Sequence, residues 1–439
     1  MRRASFPWSS EPLPPPVPPG DAIRAWLKYR VDRYGLSPGM VVGVTQAGRR
    51  SVFAHGFADT VSRAVDEHTL FEIGSITKLF TALLLAEMAH MGEVEFDEPV
   101  AALLPPGTRV PDRNGKPITL LQLAGHTAGL PRIPPDLPPD SPEPYAGYTR
   151  ERLYAFLADH KLVRTPGEEF EYSNLGAGLL GHALGLRAGQ DYEDLIASRI
   201  LQPLGMHSTA IHLSSALIAR FASGHDDSGE PVPAWDMGVL AGAGGIRSTA
   251  PDILKFLEAL MDGAAPLATA AALLAAPRDT GGLGFGLPQF GGLIGIQHDG
   301  GTGGFRSYAG CIPDWRRGAV VLANASTGAC ADLGLYLCDP HRSLQRFRQP
   351  VAMDPAGFDR LLGRYRMRSG LLFDVTRRSD CLLIQLTGQA AFRVFPLSEW
   401  HFFYKVVDAQ ITFEPGPDGR AARLILHQHS RDETAERIE

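Results

Sequence analysis

Apolar positions follow two regimes along this chain. Up to about residue 345 they come in long helical periods broken by short strand-like alternations; from about Pro355 they come only in short runs. Asp21 to Tyr34 spaces its apolar side chains along one helix face. Met40-Val41-Val42-Gly43-Val44-Thr45 and Ser51-Val52-Phe53-Ala54-His55-Gly56 read as two strands turned at Gly48, and Ser307 to Ile312 with Ala319 to Ala323 as two more turned at Pro313-Asp314. Two hairpins from opposite ends of the segment predict one antiparallel sheet. The helical periods near 76–91, 149–160, 175–186, 191–201 and 251–261 are enough to cover that sheet and build a helical lobe beside it.

Two stretches depart from this plan. Leu79 to Ala89 is apolar nearly all round, so it is predicted as a buried central helix that Gly92 can terminate. Ile133 to Tyr145 is too rich in proline for a helix or a central strand, and reads either as a semi-rigid rim loop or as an exposed insertion without substrate contact. Beyond Pro355, the runs Leu371 to Val375, Cys381 to Leu386, Phe392 to Phe395, His401 to Tyr404, Gln410 to Phe413 and Arg423 to His427 predict a small β-barrel or sandwich. The chain therefore divides into a proline-rich tail, 1–20, a mixed α/β (α+β) domain, 21–345, and an all-β domain, 355–439.

Composition removes several function classes. The 439 residues exceed what one core usually supports, which agrees with more than one domain. A net charge of -6 gives no basic footprint for nucleic acid, and no stretch has the length and apolarity of a membrane span. No zinc-type Cys/His spacing occurs, and no cofactor is expected. Cys311, Cys330, Cys338 and Cys381 read as small buried or surface residues rather than a disulfide framework. Met1-Arg2-Arg3 is followed by no apolar h-region, so a cytoplasmic location is expected, or a periplasmic or secreted one if the N-terminus is trimmed. A homo-oligomer is compatible with all of this.

Three short clusters carry the chemistry. Ser75-Ile76-Thr77-Lys78 puts a hydroxyl and an amine on one helical face; a neutral amine can take the serine proton, and the helix's first turn offers free N–H groups to an oxyanion. Lysine is scarce here, only Lys28, Lys78, Lys116, Lys161, Lys255 and Lys405, and arginine could not replace Lys78 as a base because it does not deprotonate. Taken alone, Ser75 reads equally as the N-cap of a core helix. Tyr172-Ser173-Asn174 brings a phenol whose phenolate an ammonium would favour, able to relay a proton, and an amide donor and acceptor; alone it reads more readily as turn chemistry. His298-Asp299-Gly300-Gly301 is placed on an inner strand, with Gly301 N–H joining that of Ser75 as an oxyanion hole; the same residues also read as a glycine-rich hairpin loop. A Ser75–His126–Asp triad is the rival constellation, although no Gly-x-Ser-x-Gly elbow surrounds Ser75 and Lys78 would then be idle.

In order and surroundings these clusters resemble the penicillin-recognising serine hydrolases: class C β-lactamases, D-alanyl-D-alanine carboxypeptidases and their esterase and D-aminopeptidase relatives. The resemblance spans about residues 20 to 345 and includes Leu120 to Pro131 and Ala241 to Ile253. It implies a β-lactamase/transpeptidase-like fold, an acyl-enzyme on Ser75, proton transfers shared by Lys78 and Tyr172 without a choice of base between them, and a substrate amide held by Asn174. His298 stands where the family's β-lactamases and many carboxypeptidases carry lysine, which implies weaker or pH-dependent recognition of a substrate carboxylate. The all-β tail resembles the lipocalin-like domain that accompanies several such hydrolases. The activity so implied is hydrolysis of peptide or ester carbonyls in small substrates, D-amino-acid peptides first, by a carboxypeptidase or endopeptidase. Alternatives are a carboxylesterase or β-lactamase-like hydrolase, a penicillin-binding-protein-type thioesterase or peptide cyclase, and a catalytically silent penicillin-binding sensor.

Overall fold

A computed structural model describes residues 14–59, 62–138, 141–262, 267–276, 283, 289–290, 292–387, 389, 391–428 and 431–439. Most of the predicted tail, and residues 139–140 of the proline-rich loop, lie outside the described residues.

The two hairpins meet in one sheet. Strands β1 (Gly39–Gln46), β2 (Arg49–Gly56), β3 (Ile296–Gly301), β4 (Arg306–Ile312) and β5 (Arg317–Ala323) lie in the order β2-β1-β5-β4-β3. Every pairing is antiparallel, with Val42 opposite Val321 and Tyr308 opposite Asp299. β5 is buried along its whole length because both faces are covered. Val320 and Leu322 join Leu254, Phe256 and Leu257 of helix Ala250–Met261, whereas Val321 and Ala323 join Ile23 and Leu27 of helix Gly20–Lys28 and Leu333 and Leu337 of helix Ala331–Cys338. A strand that alternates sides while both sides are packed must be apolar throughout, as Ala-Val-Val-Leu-Ala is.

β3 sits at the sheet's edge, where the sequence reading had placed it inside. Its free flank faces the turn before Ser75: a Cβ on Gly300 would stand 2.0 Å from Ile73 O, and one on Gly74, at φ +49°, would stand 2.6 Å from Gly301 N. Only glycines allow this approach. An edge position also leaves backbone groups unpaired for a substrate, which an inner strand could not do.

Helix Thr77–His90 is buried over most of its circumference, and Phe80 stacks on Phe256 with ring centroids 3.9 Å apart. Helix Asn174–Ala188 lies beside the turn Gly238–Ala243. Its small residues let the two backbones touch, since a Cβ on Gly242 would stand 3.0 Å from Gly181 Cα and one on Gly178 2.6 Å from Leu240.

The C-terminal segment closes into an antiparallel barrel of eight strands: β6 (Gly363–Met367), β7 (Leu372–Arg378), β8 (Cys381–Leu386), β9 (Ala391–Pro396), β10 (His401–Tyr404), β11 (Ala409–Pro415), β12 (Ala421–Gln428) and β13 (Arg431–Arg437). Tyr365 opposite Arg437 completes the ring. Tyr365, Phe373, Phe402 and Phe413 are fully buried in its interior. Of the two shapes predicted for this segment, it is the barrel.

Candidate active site

Ser75 occupies the 3-10 turn Gly74–Ile76 that leads into helix Thr77–His90, so its N–H lies in a first turn without intrahelical acceptors. The turn is tied down on both sides. Ser307 Oγ donates to Ile73 O at 2.8 Å, Ile73 N–H to Ile246 O at 3.1 Å, and Ile246 N–H to Thr77 Oγ1 at 3.2 Å. Ser75 itself keeps partial access to solvent.

Lys78 Nζ lies 3.1 Å from Ser75 Oγ, 2.8 Å from Asn174 Oδ1 and 2.7 Å from Ala243 O. The side chain is only 2 % exposed. Burial first, and the Arg132 charge second, hold its ammonium well below the ordinary lysine range, against a weaker upward pull from Asp299. A neutral amine has two N–H bonds and one lone pair. The carbonyl oxygens of Asn174 and Ala243 can only accept, which uses both N–H groups and leaves the lone pair for the serine proton.

Asn174 begins its helix, and Ser173 caps it by accepting from Gly176 N–H. With Oδ1 facing Lys78, the Asn174 Nδ2 donates to Tyr145 Oη at 2.9 Å. The Tyr172 ring lies 4.8 Å from Lys78 Nζ, centroid to atom, and 5.0 Å from Arg132 Cζ. The expected phenolate is not favoured: burial pushes Tyr172 up to about 12, over the opposing influence of a hydrogen bond with Ser75 and the Arg132 charge. Desolvation of a buried anion outweighs the neighbouring cation, so Tyr172 keeps its proton.

His298, on β3, is held down to about 4 by burial and by Lys78. The partial charge near neutral pH expected from its type is therefore absent. Its Nδ1–H donates to Asp299 O at 2.5 Å, leaving Nε2 unprotonated. His126 is held to about 3, again mainly by burial, and its Nδ1 accepts from Ser173 N–H at 3.2 Å. The proton then sits on Nε2, which is buried with no partner among the described residues, so His126 offers Ser75 no acceptor and the rival triad is not assembled.

Gly301 completes the arrangement. Thr302 N–H reaches Phe305 O across the hairpin at 3.1 Å, and the antiparallel alternation then turns Gly301's N–H and C=O away from β4, toward the open edge beside Gly74. Ser75 and Gly301 can thus aim two N–H groups at one oxyanion. All the residues singled out from the sequence, Ser75, Lys78, Tyr172, Asn174, His298, Gly300 and Gly301, come together in this cleft.

Several neighbours were not anticipated. Ala243 supplies the carbonyl under Lys78; its glycine-rich surroundings had stood out in the sequence without a role. Tyr145 and Arg132 flank the proline-rich loop, and Trp235 packs on Tyr145 at 5.4 Å while donating to Pro142 O at 2.9 Å. That loop is a wall of the cleft, and Trp235 N–H is fixed by the buried Glu72 carboxylate, itself paired with Arg247. Among the described residues no three His, Cys, Asp or Glu side chains are grouped to hold a metal, and no helix is long and apolar enough to cross a membrane. Cys311, Cys330 and Cys338 are buried free thiols pushed up by desolvation.

Residues 23–336 match the beta-lactamase family, and residues 348–439 match a domain of unknown function, DUF3471. The chain is 32% identical over 279 residues to the D-alanyl-D-alanine-carboxypeptidase/endopeptidase AmpH of Escherichia coli (strain K12), covering 59% of this chain and 71% of that one. It is 25% identical over 440 residues to a penicillin-binding protein of Bacillus subtilis (strain 168), 87% of this chain and 91% of that one. A class C beta-lactamase from Rhodobacter sphaeroides superposes with a TM-score of 0.59 at 29% identity, over 70% of this chain and 94% of that structure.

Proposed function

The chain belongs to the beta-lactamase family and is a serine hydrolase of the penicillin-recognising kind, and from that premise we propose that it cleaves peptide bonds in D-amino-acid-containing peptides through an acyl-enzyme on Ser75. The observation that carries the reading is the Lys78 amine: buried, supplied with two obligate acceptors, and left with a lone pair 3.1 Å from the Ser75 hydroxyl.

In acylation the Ser75 Oγ attacks the substrate carbonyl carbon as Lys78 Nζ takes its proton. Negative charge on the carbonyl oxygen falls between the N–H groups of Ser75 and Gly301. The C–N bond then breaks, and Tyr172, which keeps its proton to about 12, gives that proton to the departing amine. The Lys78 ammonium returns a proton to the phenolate, restoring both groups. In deacylation Lys78 takes a proton from the attacking water, the acyl C–O bond to Ser75 breaks, Tyr172 gives its proton to the departing Ser75 Oγ, and Lys78 again restores the phenol. Asn174, its Oδ1 engaged by Lys78, aligns the amine and presents its amide to the acyl chain.

A D-peptide substrate is supported by the named activity of the Escherichia coli relative. The closed eight-stranded barrel resembles lipocalin-like domains in strand number; because aromatic side chains fill its interior, we assign it to walling the cleft rather than holding a ligand within. The test is turnover of a panel: a D-Ala-D-Ala peptide, a nitrophenyl ester, a cephalosporin and a peptidyl thioester. The peptide should be cleaved with the highest kcat/KM relative to its uncatalysed rate; preference for the ester with no peptide cleavage would make the protein an esterase.

A further inference from the structure

We propose that Arg132 binds a carboxylate on the substrate and so sets which acyl donors and leaving groups the cleft accepts; the proposal rests on the acyl-transfer reading above. Its guanidinium is exposed at the cleft, 5.0 Å from the centroid of the Tyr172 ring that Lys78 also approaches. Among the described residues it makes no hydrogen bond or ion pair, while nearby carboxylates have other partners: Asp136 is held by Arg152 at 2.7 Å, and Glu169 and Glu171 by Arg164. An arginine whose five donors have no partner among the described residues, and which lies over an aromatic ring, presents the fork that a carboxylate fits bidentately.

The fork is mounted rigidly. Arg132 O accepts from Asn174 N–H at 2.8 Å and Leu175 N–H at 3.4 Å, Pro131 O accepts from Ser173 Oγ at 2.7 Å, and prolines stand at 131 and 134. The segment carrying the cation is thereby pinned to the segment carrying Tyr172 and Asn174. Of the other basic groups described around Ser75, neither Lys78 nor His298 offers a fixed positive charge. Lys78 is buried with its N–H bonds committed, and His298 is neutral at physiological pH. Asp299 makes no ion pair with Arg132: strand alternation turns its side chain to the sheet face opposite His298, beside Arg306 and Asp332.

Binding a carboxylate here would also act on catalysis. Arg132 is one cause of the depressed Lys78 amine. Neutralising it as substrate arrives would raise the basicity of Lys78 in the complex.

The experiment uses full-length protein and three matched nitrophenyl or amide substrates: neutral on both sides of the scissile bond, carboxylate on the acyl side, and carboxylate on the leaving-group side. In Arg132→Gln the ratio of kcat/KM for one carboxylate substrate to the neutral one should fall at least about tenfold, the loss expected for a charged hydrogen-bonded contact. Arg132→Lys should fall between. The arm that responds identifies the side. Unchanged ratios for both carboxylate substrates, with Arg132→Gln folded, would overturn the proposal. Wild-type protein that turns over none of the three would instead remove the acyl-transfer reading, and this proposal with it.

Discussion

Burial depresses the Lys78 ammonium, and most of the account at the level of single residues follows from that. Replacing Lys78 by alanine should lower acylation by about two orders of magnitude or more, as should Tyr172→Phe. Lys78→Arg should not rescue it, because a guanidinium keeps its proton. The base works only when neutral, so kcat/KM should rise with pH through the depressed Lys78 value and then level. With Tyr172 protonated to about 12 and His298 neutral above about 4, neither adds a limb near neutrality. An acid limb near the ordinary histidine value of ~6.5 that disappears in His298→Ala would contradict this assignment.

Among the elements, the edge strand and the turn before Ser75 matter together. Gly300→Ala drives a methyl group into Ile73 O, displacing β3 and with it the Gly301 N–H. Loss of one oxyanion donor costs about 10²–10³ in kcat, and steady-state kinetics on a nitrophenyl ester should show a fall of that order while circular dichroism retains the fold; unaltered kcat would mean that β3 does not bound the oxyanion site. Elements with a clear period were legible beforehand, including the sheet hairpins and helix Thr77–His90. β13 was not, because Arg431–Arg437 has one inward residue, Ala435, and its pairing is dictated by closure against β6 and β12. β6 hides its signal similarly, with Tyr365 and Met367 inward between arginines. The catalytic side chains were legible because nucleophile chemistry restricts residue type. Their charge states were not, since burial sets them: Tyr172 and His298 both differ from what neighbouring charges and residue type suggested.

At the scale of the whole molecule, barrel and hydrolase touch through Arg393 N–H on Asp227, Lys405 Nζ on Tyr34 O, and Arg348 on Asp408 within the connecting segment. Between them runs a crevice of about 910 Å³ bordered by Trp235 and Val232 on one side and Arg378 and Asp380 on the other. The barrel has its own core, so Phe402→Ala should cost it about 3–5 kcal/mol and give an early unfolding transition by calorimetry, with the Ser75 acylation rate falling less than the stability of the barrel. A single transition lost in step with acylation would show the two parts to be one unit. All of this depends on Ser75 being the nucleophile that Lys78 activates. Intact-protein mass spectrometry after exposure to a fluorophosphonate and to a penicillin tests it most directly: the account predicts one covalent adduct, mapped to Ser75, absent in Ser75→Ala and much slower in Lys78→Ala. An adduct that survives Ser75→Ala, or no adduct with either reagent, would contradict it.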